Sequence, residues 1–142
     1  MIKRIHHVAI AVADLDEGTS IWGPSGLGLP DEGREEVASQ RTRVAMLPVG
    51  ESRIELIEPM DESSAVARHL SKRGPGVHHI CLEVDDLRAE MARLTAAGMR
   101  FTSDEPAPGA HGSLVAFVHP KSTGGVLLEL NEFSSLHEDD DQ

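Results

Sequence analysis

The stretch IHHVAIAVADL, residues 5–15, returns 72 residues later as VHHICLEVDDL, residues 77–87. Five of the eleven aligned positions are identical, and three more exchange one aliphatic residue for another. A second pair of matching stretches follows in the same order, GESRIELIE at 50–58 and GGVLLELNE at 124–132, with an offset of 74. Ordered matches at nearly one offset indicate an internal duplication, and a duplication of this size decides the fold.

The duplication predicts a single domain, residues 1–132, made of two modules. The modules span about 5–60 and 77–132, and a linker helix of about 62–73 joins them. Each module reads as a strand, a helix and three further strands, so the fold class is α+β with two repeated βαβββ modules. The acidic tail, 133–142, is expected to be disordered because it has too few apolar residues to pack.

The first strand of each module has a period of two, which separates its residues onto two faces. One face carries bulky aliphatic residues and is expected to pack against helices. The other face carries small residues and one histidine, His7 in the first module and His79 in the second. We predict that this second face lines a cavity. The same alternation places Glu55 and Glu129 on the cavity face of the later strands.

Composition and charge exclude several classes of protein. The 142 residues carry a net charge of −11, with three Phe, one Trp and no Tyr, which disfavours nucleic-acid binding. No run approaches the ~20 apolar residues of a membrane span. The N-terminus lacks a signal-peptide core. The single cysteine, Cys81, fits a reducing cytoplasm, and we read it as a small core residue.

Superposing the modules pairs His7 with His79 and Glu55 with Glu129. Two imidazoles and two carboxylates suit a divalent ion such as Mn, Fe, Co, Ni or Zn, with positions left for water or substrate. A single histidine would more often be structural, and a single glutamate more often solvated. Two buried carboxylates at equivalent positions would each need a partner, so we predict a metal site at these four residues.

These residues and motifs resemble the vicinal oxygen chelate superfamily and, within it, the methylmalonyl-CoA epimerase family. The resemblance runs from about Ile5 to Glu132. It is most specific in IHHVAIAV (5–12), GVHHICLEVDDL (76–87), EPAPGAHG (105–112) and HPKSTGGVLLEL (119–130). It implies a curved mixed sheet that forms a cup around a metal, and it implies a homodimer.

The resemblance also implies an activity and its residues. The family's metal ligands fall on His7, Glu55, His79 and Glu129, with Co²⁺ the first candidate and Mn²⁺, Ni²⁺ or Zn²⁺ as alternatives. The implied reaction is the interconversion of (2R)- and (2S)-methylmalonyl-CoA by C2 proton abstraction through a metal-stabilised enolate, an isomerase reaction in which Glu129 is an acid/base. The loop residues implied to bind the acyl-CoA substrate are His111, Gly112, Ser113 and Lys121.

Inversion at C2 needs a second acid/base group, and here the sequence departs from part of the family. Some members carry a glutamate for this role where this chain has Val44. Glu55 is our candidate for the second group, with a nearby water or His111 as alternatives.

Two other functions remain open at this point. A glyoxalase I-type lyase, acting on the hemithioacetal of an α-oxoaldehyde and glutathione, uses the same types of ligand on this fold. A non-catalytic small-molecule-binding module of the same fold, such as a drug-sequestering dimer, is the third hypothesis.

Overall fold

The structure is a computed structural model that describes residues 1–133, so nearly all of the predicted acidic tail lies outside the described residues. The described residues form eight strands and three α-helices. In chain order these are β1 (Ile2–Ala11), α1 (Leu15–Trp22), β2 (Arg34–Val37), β3 (Thr42–Val49), β4 (Ser52–Pro59), α2 (Ala65–Arg73), β5 (Gly76–Val84), α3 (Leu87–Ala96), β6 (Ala107–Pro108), β7 (Leu114–Val118) and β8 (Leu128–Glu132). The order βαβββ therefore occurs twice, with α2 as the linker helix, as the duplication predicts.

Each helix is preceded by a side chain that caps its free amides. The Asp14 carboxylate accepts a hydrogen bond from the Glu17 amide, and the Asp86 carboxylate accepts one from Ala89. None of the helices among residues 1–133 is long and apolar enough to span a membrane.

The chain divides into two compact units, and the first comprises residues 6–78. Its strands are ordered β2-β3-β4-β1, with β1 parallel to β4 and the other pairs antiparallel. The core of this unit contains Ile10, Leu15, Ala45, Leu47 and Leu56, with Trp22 and Val12 packed against it. The aliphatic face of β1 thus packs against α1, as the alternation predicts.

Gly18 lies in the middle of α1 although glycine weakens helices, and its close contacts explain why. A Cβ added at Gly18 would lie 3.0 Å from Leu56 Cδ1 and 3.2 Å from Val12 Cγ1. The glycine therefore lets the helix approach β4 and β1 closely, and this contact compensates for its low helix propensity.

The second unit comprises residues 1–5 together with residues 79–133. Its strands are ordered β5-β8-β7-β6, with β5 parallel to β8 and the other pairs antiparallel. Its core contains Val84, Leu87, Met91, Leu94, Ala116, Val118 and Leu130. Both units mix parallel and antiparallel pairing around a helix, which confirms the α+β class and the two βαβββ modules. The single-domain boundary at residue 132 stays a prediction.

The strand registers repeat as faithfully as the sequence does. Ala9 lies opposite Glu55 in the first unit, and Cys81 lies opposite Glu129 in the second. Across the next strand, Met46 faces Glu55, and Phe117 faces Glu129. Each glutamate therefore occupies the same place in its unit, between a small residue and a large one.

Candidate active site

The second unit holds a buried imidazole–carboxylate pair. His79 Nε2 lies 2.8 Å from Glu129 Oε1, and both side chains are less than 10% exposed. Phe117, the strand neighbour of Glu129, packs edge-on against the His79 ring, with centroids 5.5 Å apart and an interplanar angle of 88°. The aromatic contact and the short hydrogen bond together fix the orientation of the imidazole.

The first unit holds the equivalent pair with a longer separation. His7 Nε2 lies 3.4 Å from Glu55 Oε1, and both side chains are again buried. The other ring nitrogen, His7 Nδ1, is 2.8 Å from Nδ1 of His6. Arg53 Nη1 lies 3.3 Å from His6 Nε2. Because a guanidinium can only donate, His6 Nε2 is the acceptor, and the His6 ring then donates through Nδ1 to His7. This series of hydrogen bonds orients the His7 ring so that its Nε2 faces Glu55.

The donor set of these two pairs fits a divalent metal. Imidazole nitrogen and carboxylate oxygen suit Mn²⁺, Co²⁺, Ni²⁺ and Zn²⁺, whereas closed structural zinc sites more often use cysteine. All four side chains are held on strands, which makes them rigid ligands. A buried carboxylate without a cation or a donor would be costly, and in each unit the carboxylate already lies beside an imidazole. His7, Glu55, His79 and Glu129 are all buried, and their placement on a cavity face stays a prediction.

The residues expected to bind substrate fall into two places. Ser113 is buried, and it precedes β7 on the same face as Phe117, while His111 and Gly112 are exposed beside it. Lys121 is exposed in the turn beyond the other end of β7. The five residues of that strand separate the two places by about 16 Å. The structure therefore groups His111, Gly112 and Ser113 and sets Lys121 apart.

Two further side chains, Cys81 and His69, are also removed from solvent. Cys81 is fully buried, as expected of a small core residue. His69, on α2, is half-buried, and its ring packs edge-on against His78 at 4.9 Å. Burial, and secondarily the charge of Arg73, lower the pKa of His69. A contact between a helix and the strand that follows it is not visible in a helical period alone.

Val44, at the position where some family members carry a glutamate, is buried on β3. It lies two residues from Met46, the strand neighbour of Glu55, and so on the same face as that glutamate. The first unit therefore presents an apolar side chain here, and Glu55 is the buried carboxylate of this face.

One buried polar residue was not singled out by the sequence analysis. Asn131 lies on β8, two residues after Glu129 and on the same face. It is 3% exposed, and its Oδ1 is the one buried side-chain nitrogen or oxygen among residues 1–133 that lacks a hydrogen-bond partner. The alternation of β8 places the side chain on this face, but its lack of a partner depends on neighbouring strands.

The sequence is similar to one superfamily and to named proteins within it. The sequence model of the glyoxalase/bleomycin resistance protein/dioxygenase superfamily matches residues 6–117. The ethylmalonyl-CoA/methylmalonyl-CoA epimerase of Cereibacter sphaeroides is 40% identical over 134 residues, which cover 93% of this chain and 99% of that protein. The human mitochondrial methylmalonyl-CoA epimerase is 37% identical over 132 residues, covering 92% of this chain and 74% of that protein.

Structural comparison gives the same group. The crystal structure of methylmalonyl-CoA epimerase from Mycobacterium tuberculosis matches with a TM-score of 0.91 and 38% identity, covering 97% of this chain and 93% of that chain. A Streptomyces coelicolor methylmalonyl-CoA epimerase variant in complex with 2-nitronate-propionyl-CoA matches with a TM-score of 0.90 and 37% identity, covering 95% and 97%. These matches confirm the fold that the sequence resemblance implies.

Proposed function

Because the chain belongs to the glyoxalase/bleomycin resistance protein/dioxygenase superfamily, we propose that it interconverts the C2 epimers of methylmalonyl-CoA. The observation that carries this proposal is the pair of buried imidazole–carboxylate contacts at equivalent strand positions of the two modules. The names of the relatives support an epimerase, an enzyme of the isomerase class, over a glyoxalase I-type lyase or a non-catalytic binding module.

We place a divalent metal on His7, Glu55, His79 and Glu129. The donor set supports this assignment, and the family resemblance makes Co²⁺ the first candidate, ahead of Mn²⁺, Ni²⁺ and Zn²⁺. When bound, such an ion supplies Lewis-acid stabilisation for the negative charge that develops on the substrate oxygens.

The proton transfers at C2 are assigned to the two carboxylates. The C2 proton lies between a thioester and a carboxylate, so its removal leaves an enolate. Glu129 takes the proton on one face, and Glu55, loosened from the metal and in its acid form, delivers a proton to the opposite face, which inverts the centre. The two carboxyl groups have then exchanged protonation states, and exchange with solvent restores them. The longer His7–Glu55 separation supports a Glu55 side chain that can adjust during this cycle.

The remaining assignments follow the layout of the second unit. Ser113 shares the face of Phe117 and Glu129, so we propose that it contacts the acyl-CoA substrate, together with the adjoining His111 and Gly112. Lys121, exposed beyond the other end of β7, is also assigned to the acyl-CoA substrate. A homodimer and a cytoplasmic location complete the proposal; the single, buried cysteine supports a reducing compartment.

The proposal is tested with one C2 epimer of methylmalonyl-CoA in deuterium oxide. The Co²⁺-loaded protein is expected to invert C2 and to leave deuterium at that carbon, as followed by proton NMR and by a stereospecific coupled assay. Chelator-treated protein is expected to lose the reaction and to regain it on addition of Co²⁺.

Each other outcome contradicts a defined part of the proposal. Exchange without inversion would contradict the role of Glu55 and leave a single working base. The absence of both exchange and inversion would refute the proposed epimerase activity. Faster turnover of methylglyoxal with glutathione than of methylmalonyl-CoA would reverse the order of the two enzyme hypotheses.

A further inference from the structure

Asn131 carries an acceptor that the described protein does not satisfy. Its Oδ1 is buried without a hydrogen-bond partner, although buried amide oxygens in proteins are nearly always hydrogen-bonded. An unsatisfied buried acceptor destabilises the folded state. A residue that carries such a cost at a candidate site is therefore a candidate for ligand binding.

The neighbouring strands explain why this oxygen has no partner. On β5 the residue opposite Asn131 is Glu83, and on β7 it is Val115. Glu83 forms ion pairs with Lys3 and Arg4 at 3.6 and 3.8 Å, and an ionised carboxylate can only accept hydrogen bonds. Val115 is apolar. Neither side chain can donate to Asn131, so the missing donor must come from elsewhere.

The first module has no counterpart of this acceptor. The repeat offset places Ile57 at the position of Asn131, and the strand neighbours of Ile57 are Ala11 and Val44. This position is therefore apolar in one module and polar in the other. A duplicated scaffold with one such polar position suits a ligand that is itself asymmetric.

We propose that Asn131 Oδ1 accepts a hydrogen bond from the amide N–H nearest the thioester in the arm of the acyl-CoA substrate. This inference rests on the proposed function. Residues two apart on a strand are about 6.6 Å apart. The amide nitrogen stands five bonds from C2, about 6 Å in an extended arm. When the Glu129 carboxylate lies at C2, an arm that runs along β8 therefore brings the amide within reach of Asn131. Asn131 is thus a specificity residue for the amide-bearing arm.

The test uses two short methylmalonyl thioesters. One is the N-acetylcysteamine thioester, which keeps the amide, and the other replaces the amide N–H by CH₂. C2 exchange in deuterium oxide gives kcat/KM for both. The unaltered protein is expected to prefer the amide-bearing thioester by about tenfold or more, because loss of the donor leaves a buried acceptor unpaired.

The variant Asn131→Leu is expected to lose that preference, mainly by a lower kcat/KM on the amide-bearing thioester. Without substrate it is expected to keep or raise the melting temperature, since Leu fills a similar volume without an unpaired oxygen. Ile57→Leu is the matched control at the equivalent position of the first module. It is expected to keep the preference of the unaltered protein.

The outcomes are distinguishable. A wild-type protein that treats both thioesters alike would overturn the inference, and so would an Asn131→Leu variant that still discriminates. A folded wild-type protein that does not exchange C2 of methylmalonyl-CoA itself would overturn the proposed function and, with it, this inference.

Discussion

The two modules hold the same pair of residues in different ways. In the second, His79 and Glu129 are 2.8 Å apart, and Phe117 packs against the imidazole. In the first, His7 and Glu55 are 3.4 Å apart, and the strand neighbour of the glutamate is Met46. Duplication preserved the positions of these residues, while the residues around them diverged. We therefore expect the second pair to be more closely fixed than the first.

This difference matches the two roles that inversion requires. A two-base reaction needs one carboxylate on each face of C2. Glu129 is held by a short hydrogen bond within a unit that also carries the polar Asn131. Glu55 lies between Ala9 and the flexible Met46. We therefore expect Glu129 to be more sensitive to substitution than Glu55.

Replacing each glutamate by glutamine has the largest expected effect. For the epimer whose C2 proton faces Glu129, Glu129→Gln is expected to lower both exchange and inversion by about 10²–10⁴-fold, because it removes the proton acceptor. Glu55→Gln is expected to lower inversion by a similar factor while exchange by Glu129 continues. Since glutamine keeps a side-chain oxygen at this position, this variant should still bind metal. Exchange and inversion are measured in deuterium oxide, and metal content by elemental analysis.

The control for both variants is Glu51→Gln, which removes one negative charge at an exposed position in the turn before β4. It should match the unaltered protein. If Glu55→Gln kept full inversion, Glu55 would not be the second acid/base. If the two site variants were equally impaired in exchange, the contrast between a fixed pair and an adjustable pair would be wrong.

The sequence predicts the module pattern well, because that pattern depends on local periodicity. The alternation in β1 and β5 places His7 and His79 on the buried face, and the repeated glutamates complete each pair. Asp14 and Asp86 mark the helix starts. These features depend on the chain's own neighbours, so a single sequence reveals them.

Features that depend on distant neighbours are not predicted. The missing partner of Asn131 depends on the strand register that places Glu83 and Val115 beside it. The contact between His69 and His78 depends on how α2 packs. The repeat finds equivalent positions, but it cannot reveal which equivalent residues have acquired different surroundings.

Substitutions at the strand neighbours of the two glutamates are expected to have a smaller effect, which is on the free energy of unfolding. Phe117→Leu is expected to lower the free energy of unfolding by about 1 kcal/mol, since an edge-on aromatic contact contributes ~0.5–1.5 kcal/mol beyond buried area. Met46→Leu, at the equivalent position of the first module, is a volume-conserving change and should cost less. Urea unfolding of both variants measures the difference, and equal losses would remove Phe117 as the cause of the tighter pair.

The smallest effects are expected at the helix starts, where the modules again match. The Glu58 carboxylate accepts a hydrogen bond from the Leu15 amide at 2.7 Å, and Glu132 accepts one from the Leu87 amide at 2.8 Å. Glutamine keeps an acceptor oxygen but loses the charge that favours a helix N-terminus. Glu132→Gln should therefore lower the free energy of unfolding by only about 0.5 kcal/mol.

Glu58 also pairs with Arg43 Nη1 at 2.9 Å, so Glu58→Gln should cost slightly more than Glu132→Gln. A double-mutant cycle with Arg43→Met isolates the added contribution of that pair. In the Arg43→Met background the two glutamine substitutions should become equal, because only the shared helix contact then remains. A difference that persists there would mean that the two helix starts, unlike the registers of the strands, are not equivalent.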